Sequence, residues 1–164
     1  MKLYIKQKVF SWGDKFTVKD AAGVDRYFVE GELFSFGKKL HVYNTCNQEV
    51  ACIQQQLMTW TPRYSVYIGS REVAQVVKEF SFFRPRYRIE GLGWTVDGAL
   101  WAHEYEICQA GRSIATISKE WMTWGDSYEL DIADPDDEIV ALAVVLTIDC
   151  VTASNSGGVT ISSN

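Results

Sequence analysis

Apolar and polar residues alternate along most of this chain, as in Tyr64, Val66 and Ile68 set against Arg63, Ser65 and Tyr67. A period of two belongs to extended strands, whose successive side chains point to opposite faces. A longer period lies over it. A Trp or Phe is followed four residues on by Phe, Tyr or Leu and six on by Val, Ile or Leu. This happens at six places: Trp12 (Phe16, Val18), Phe36 (Leu40, Val42), Trp60 (Tyr64, Val66), Phe83 (Tyr87, Ile89), Trp101 (Tyr105, Ile107) and Trp124 (Tyr128, Leu130). At these residue frequencies chance would give about half a match. The starts are 24, 24, 23, 18 and 23 residues apart.

Offsets of four and six are even, so all three side chains can share one inward face. Turn formers follow the leading aromatic in most copies: Gly13-Asp14, Gly37-Lys38, Thr61-Pro62, Arg84-Pro85 and Gly125-Asp126. The copy at Trp101 has Ala102-His103 there and reads as a strand that runs through, or a bulge. Ala22-Gly23, Gly69-Ser70 and Gly111 mark turns between units. A unit of about 23 residues then holds two strands and two turns, and the repeats predict about twelve antiparallel strands. Such a sheet exposes its edges unless it closes. A closed barrel of that size is wider than an eight-stranded one and needs filling.

Residues 134–153, DPDDEIVALAVVLTIDCVTA, predict the filler. Asp134 is a natural N-cap, Pro135 suits the first helical position, and Asp136, Asp137 and Glu138 favour the positive end of a helix dipole. From Ile139 to Ala153 only Asp149 is charged. A helix apolar on every face is buried or crosses a membrane. This one is shorter than the roughly 20 apolar residues a span requires, and Asp149 would be costly in lipid. The reading is a helix of about 135–153 threaded through the barrel, with a buried pair of β-branched strands as the alternative. The whole chain, 1–164, reads as a single domain.

Composition changes this picture little. Apolar residues make up 47% and charged residues 23%, as in ordinary globular chains. The first ten residues contain no uninterrupted apolar run, so no signal peptide is expected. Cys46, Cys52, Cys108 and Cys150 form no CxxC pair, and His41 and His103 stand far from any Cys pair. Free thiols in a reducing cytosol are expected, with no metal site and no cofactor. Charge is lopsided: residues 1–90 carry 14 Lys and Arg against 9 Asp and Glu, and residues 91–164 carry 2 against 12. Either a binding face or mutual neutralisation of the two halves would explain that. The net charge of −5 argues against nucleic acid as a partner.

A closed barrel around an apolar C-terminal helix is the tubby C-terminal-like fold. The stretches VFSWGDKFTVKDAAGVDRYFVEGELFSFGKKLHVYN, ACIQQQLMTWTPRYSVYI and WGDSYELDIADPDDEIVALAVVLTID resemble one branch of it, the LURP-one-related family with its bacterial members. The likeness covers nearly the whole chain. Relatives by fold include the phosphoinositide-binding tubby proteins and the phospholipid scramblases. The resemblance implies no catalytic residues. The cysteine-rich palmitoylation segment of scramblases is absent here, which argues against lipid scrambling.

In FFRPRYRIEG, Arg84, Arg86 and Arg88 alternate with Tyr87 and Ile89, so inward Tyr87 and Ile89 would leave an outward arginine stripe. Arg63 has the same parity against Tyr64 and Val66, and Lys78 and Arg71 lie nearby. Guanidinium forks suit phosphate groups. Arg63, Lys78, Arg84, Arg86 and Arg88 are therefore the candidate headgroup-binding residues, against the plainer reading of a solvated face paired with acids of the C-terminal third. The acidic run from Asp131 to Glu138 lacks the Gly and terminal Glu of a calcium loop and reads as helix capping. Asp149 is expected to find a polar partner or water near a barrel mouth, and His103 to be a hydrogen-bonded core histidine. The function expected is a non-enzymatic, cytoplasmic binding module that meets anionic phospholipid headgroups at a membrane surface. The alternative is a protein-interaction or regulatory domain without a lipid ligand, favoured if the arginines pair with Asp or Glu within the fold.

Overall fold

The computed structural model describes residues 1–6, 15–32, 37–79, 86–120 and 127–153. Twelve strands form one antiparallel sheet. They are β1 (Lys2–Lys6), β2 (Lys15–Asp20), β3 (Asp25–Glu32), β4 (Lys39–Asn44), β5 (Glu49–Gln55), β6 (Arg63–Ile68), β7 (Arg71–Glu79), β8 (Arg86–Glu90), β9 (Trp94–Ala99), β10 (Glu104–Gln109), β11 (Arg112–Glu120) and β12 (Ser127–Ile132). Consecutive strands pair from β1 to β8 and from β9 to β12, and β1 pairs with β12. Only β8 and β9 lie together without a ladder among the described residues, so the barrel is nearly closed. Gly91 and Gly93 link them at φ 96° and 65°. A side chain on Gly91 would come within 2.8 Å of the Val73 carbonyl oxygen, so only glycine passes there without displacing β7.

The sequence repeat falls on the even strands. Its +4 and +6 residues occupy β2, β4, β6, β8, β10 and β12 in turn. Val18, Leu40, Val42, Tyr64, Val66, Ile89, Tyr105, Ile107, Tyr128 and Leu130 are buried, and Phe16 and Tyr87 pack against that core. The repeat is thus a hairpin that contributes one pair of inward side chains per even strand.

Register ties the copies together. Phe16 lies opposite Val29 and Val29 opposite Val42, so the +4 residue of one copy shares a row with the +6 residue of the next. The rows Leu40–Ile53–Val66, Tyr64–Val76–Ile89, Tyr105–Ile117–Leu130 and Tyr128–Ile5–Val18 repeat this step. Each hairpin therefore slips by two residues against the last, or about twelve around the barrel. With strands about 4.8 Å apart and residues about 3.3 Å apart, such a stagger tilts the strands by about 35° and sets the barrel radius near 11 Å. That leaves room for one helix, whose diameter with side chains is about 10 Å.

The helix is α1 (Glu138–Ala153). It begins three residues later than the pattern suggests, because Pro135–Asp137 form a 3-10 turn. Asp134 caps that turn by accepting from the Asp136 backbone N–H at 3.1 Å. Ala141 to Val151 are buried without a break, so no face of that stretch meets solvent. The helix packs on β5, β6, β7 and β12. The segment after Trp101 does not run through as a strand. Leu100–Ala102 make a 3-10 turn, and His103 ends it in the left-handed conformation at φ 53°.

Candidate functional site

The connection between β5 and β6 carries the most exposed apolar side chains described. Met58 and Trp60 are essentially fully exposed, at 104% and 98%, and Leu57 is 47% exposed. The backbone beneath them is held. Gln56 N–H donates to the Arg63 carbonyl at 2.9 Å, Lys78 N–H donates to the Pro62 carbonyl at 3.0 Å, and the Thr59 hydroxyl donates to the Thr61 carbonyl at 2.8 Å. The apolar tip is therefore presented on an ordered base. This corrects the inward place expected of Trp60: Thr61-Pro62 lies between it and Tyr64 and ends the strand parity there. A run of Leu, Met and Trp with one Thr and no alternation was the available signal. Trp12, Phe36, Phe83 and Trp124 fall outside the described residues, as does the side chain of Trp101.

Beside the loop stands the arginine face. Arg63, Val77 and Arg88 share one row across β6, β7 and β8, so Arg63 and Arg88 lie on the same outer face. Val77 between them is only 4% exposed, as expected if the two aliphatic stems cover it. Arg63 donates to the Gln75 side-chain oxygen at 2.9 Å and lies 3.8 Å from a Glu90 carboxylate oxygen. Arg88 reaches Glu90 at 2.5 Å and Glu79 at 3.6 Å. Arg86 is exposed and sits opposite Glu79 in the ladder. Lys78 pairs with Tyr87 and so has the other parity, outside the row of arginines. Arg84 lies outside the described residues. Among the described residues, Arg63 and Arg88 thus meet glutamates of their own sheet region rather than acids of the C-terminal third. Those acids pair elsewhere: Glu129 with Lys2 at 2.7 Å, and Glu138 with Arg26 at 3.3 Å.

Asp149 finds the partners its burial demands. Its carboxylate lies 3.2 Å from His103 Nε2 and accepts the Tyr128 hydroxyl. His103 stacks on Tyr128 with ring centroids 4.4 Å apart. Burial first, and Asp149 second, hold the Tyr128 and Tyr105 phenols well above the usual tyrosine range. The left-handed turn at His103 aims its ring at the helix. This cluster ties the end of α1 to the β9–β10 connection. Sequence required a partner for Asp149 but could not name one 46 residues away.

The acidic run is occupied by capping and pairing. Asp134 caps the turn, and Glu138 accepts the Tyr27 hydroxyl at 2.8 Å. On the outer face of β4 and β5, His41 Nδ1 lies 2.7 Å from Glu49, Nε2 lies 3.2 Å from Glu32, and Cys52 sits opposite His41 in the ladder. The Cys52 thiol is pushed up to about 11, by burial first and Glu49 second. Among the described residues, no helix is long and apolar enough to cross a membrane.

The uncharacterised protein YxjI of Bacillus subtilis is 36% identical to this chain over 151 residues, covering 92% of this chain and 93% of its own length. A protein of Arabidopsis thaliana, solved by X-ray crystallography, superposes with a TM-score of 0.64 over 92% of this chain and 90% of that one. At 13% identity it speaks for the fold alone. The model of the LURP-one-related family matches residues 1–149. With its repeated hairpins and terminal helix, the chain belongs to the LURP-one-related family.

Proposed function

We propose that this protein is a non-enzymatic binding module that docks peripherally on anionic phospholipid surfaces. The observation that carries this reading is the β5–β6 loop, which exposes Leu57, Met58 and Trp60 on a hydrogen-bonded base beside Arg63 and near Arg86 and Arg88. Exposed apolar clusters rimmed by polar residues mark interaction sites, and Trp suits the membrane–water interface. Inserting three such side chains is worth about 2 kcal/mol each. Cations near an anionic surface add about 1 kcal/mol apiece. With the one arginine that no glutamate offsets, the sum is about 7 kcal/mol, an affinity of about ten micromolar, in keeping with reversible docking. Because Glu79 and Glu90 offset two of the arginines, the apolar tip supplies most of the affinity and Arg86 the sharpest charge contact.

Co-sedimentation with vesicles tests it, comparing neutral with phosphatidylserine- or phosphoinositide-containing lipid at low and physiological salt. The parent should bind anionic vesicles. Trp60→Ser/Met58→Ser should lose at least tenfold at both salts, and Arg86→Glu/Arg88→Glu should lose the salt-sensitive part. No binding of the parent to any vesicle at low salt would overturn the proposal. The pairing of Arg63 and Arg88 with glutamates favours a second reading, in which the same loop docks on a protein partner and lipid plays no part.

A further inference from the structure

His41, Glu49 and Cys52 are brought together by a ladder irregularity that the sequence conceals. Leu40 and Val42 are buried in the core, so His41 between them faces outward. Cys52 is its direct cross-strand partner, with Cβ atoms about 5 Å apart. Glu49 and Cys52 are three apart and would face opposite ways in a regular strand. Between Val42 and Tyr43 the register shifts, so that Tyr43 faces Glu49 and Val50 is left over. That bulge turns Glu49 onto the face of His41 and Cys52, the kind of re-aiming bulges provide.

We propose that this trio is a binding site for a divalent zinc-type ion. One ligand atom from each residue lies within 4.8 Å of the others. A tetrahedral ion with bonds of about 2.0–2.3 Å needs ligands roughly 3.5 Å apart. Side-chain rotation would close the gap without moving the ladder. Imidazole nitrogen, thiolate and carboxylate suit zinc over calcium or magnesium. The second ring nitrogen of His41 is already held by Glu32, at 3.2 Å, the outer carboxylate that orients metal-bound histidines. Binding forms bonds from His41 Nδ1, Cys52 Sγ and a Glu49 oxygen, and the thiol proton passes to solvent. No oxidation occurs. Three protein ligands leave a fourth position for water.

Titration of the full chain with cobalt(II), followed by absorbance, reads the thiolate bond directly. The parent should develop a near-ultraviolet sulfur-to-cobalt band and tetrahedral visible bands at one ion per chain, both erased by zinc. Cys52→Ser should abolish the sulfur band, and Glu32→Gln should keep it while weakening binding at least tenfold. Absence of a sulfur band in the parent would overturn the site. So would a band that survives in Cys52→Ser, which would assign binding to another thiol such as the exposed Cys46.

Discussion

The His103–Asp149–Tyr128 contacts show what a single buried acid costs and how it is compensated. A carboxylate at this depth needs donors, and Tyr128 supplies one from β12 while His103 stands 3.2 Å away. Tyr128→Phe removes a buried hydrogen bond to a charged group and should cost about 1.5–3 kcal/mol, read from urea unfolding midpoints. The pH dependence follows from the raised tyrosines. In the unfolded chain Tyr105 and Tyr128 ionise near pH 10, whereas the folded chain keeps both protons above that. Above pH 10 the unfolded state binds fewer protons, so stability is complete below that pH and falls as pH rises beyond it. The fall should be shallower in Tyr128→Phe. The need for a partner was legible in Asp149 itself. The identity of the partner was not, because it depends on how a left-handed turn at His103 meets the end of a helix.

At the scale of elements, the six-fold phrase was legible because even offsets survive in any strand that keeps one face buried. It located every even strand and the inward pairs. Its leading aromatic misled at Trp60, where a Thr-Pro turn resets the parity, and the bulge at Val50 hid Glu49 from the same arithmetic. One copy of the repeat therefore holds opposite expectations. Tyr64→Ala should cost about 3–5 kcal/mol, whereas Trp60→Ala, four residues earlier and fully exposed, should change stability by less than about 0.5 kcal/mol. Comparing the two unfolding curves checks both. The helix offers a similar test of whether the barrel encloses it. Glu introduced singly at Ala143, Val144, Val145 and Leu146, at about 100° steps around the helix, samples every side of α1. Each variant should lose several kcal/mol or fail to fold by circular dichroism. A variant of near-parental stability would mark a face open to water and a helix that the barrel does not enclose.

Across the whole molecule, charge and hydrophobicity are distributed unevenly. The basic excess belongs to the first ninety residues, which form β1 to β8, and the acidic excess to the remainder. Some of it cancels where β1 and β3 meet β12 and the start of α1, through Lys2–Glu129 and Arg26–Glu138. The lopsided charge was legible in the sequence, and so was the arginine parity. Glu90, two residues from Arg88 on the same strand, was legible by the same parity. What stayed hidden was that Glu79 of β7 faces Arg86 and lies 3.6 Å from Arg88, because cross-strand pairing follows register and not sequence spacing. The account therefore places the contact surface at the β5–β6 loop, with the arginine face orienting it toward negative charge. The most direct measurement is quenching of tryptophan fluorescence by phosphatidylserine vesicles with brominated acyl chains, comparing the parent with Trp60→Phe. The account predicts quenching in the parent at low salt and its loss in the variant, since only an inserted indole reaches the bromines. Binding with equal quenching in both proteins, or no quenching in the parent, would contradict it.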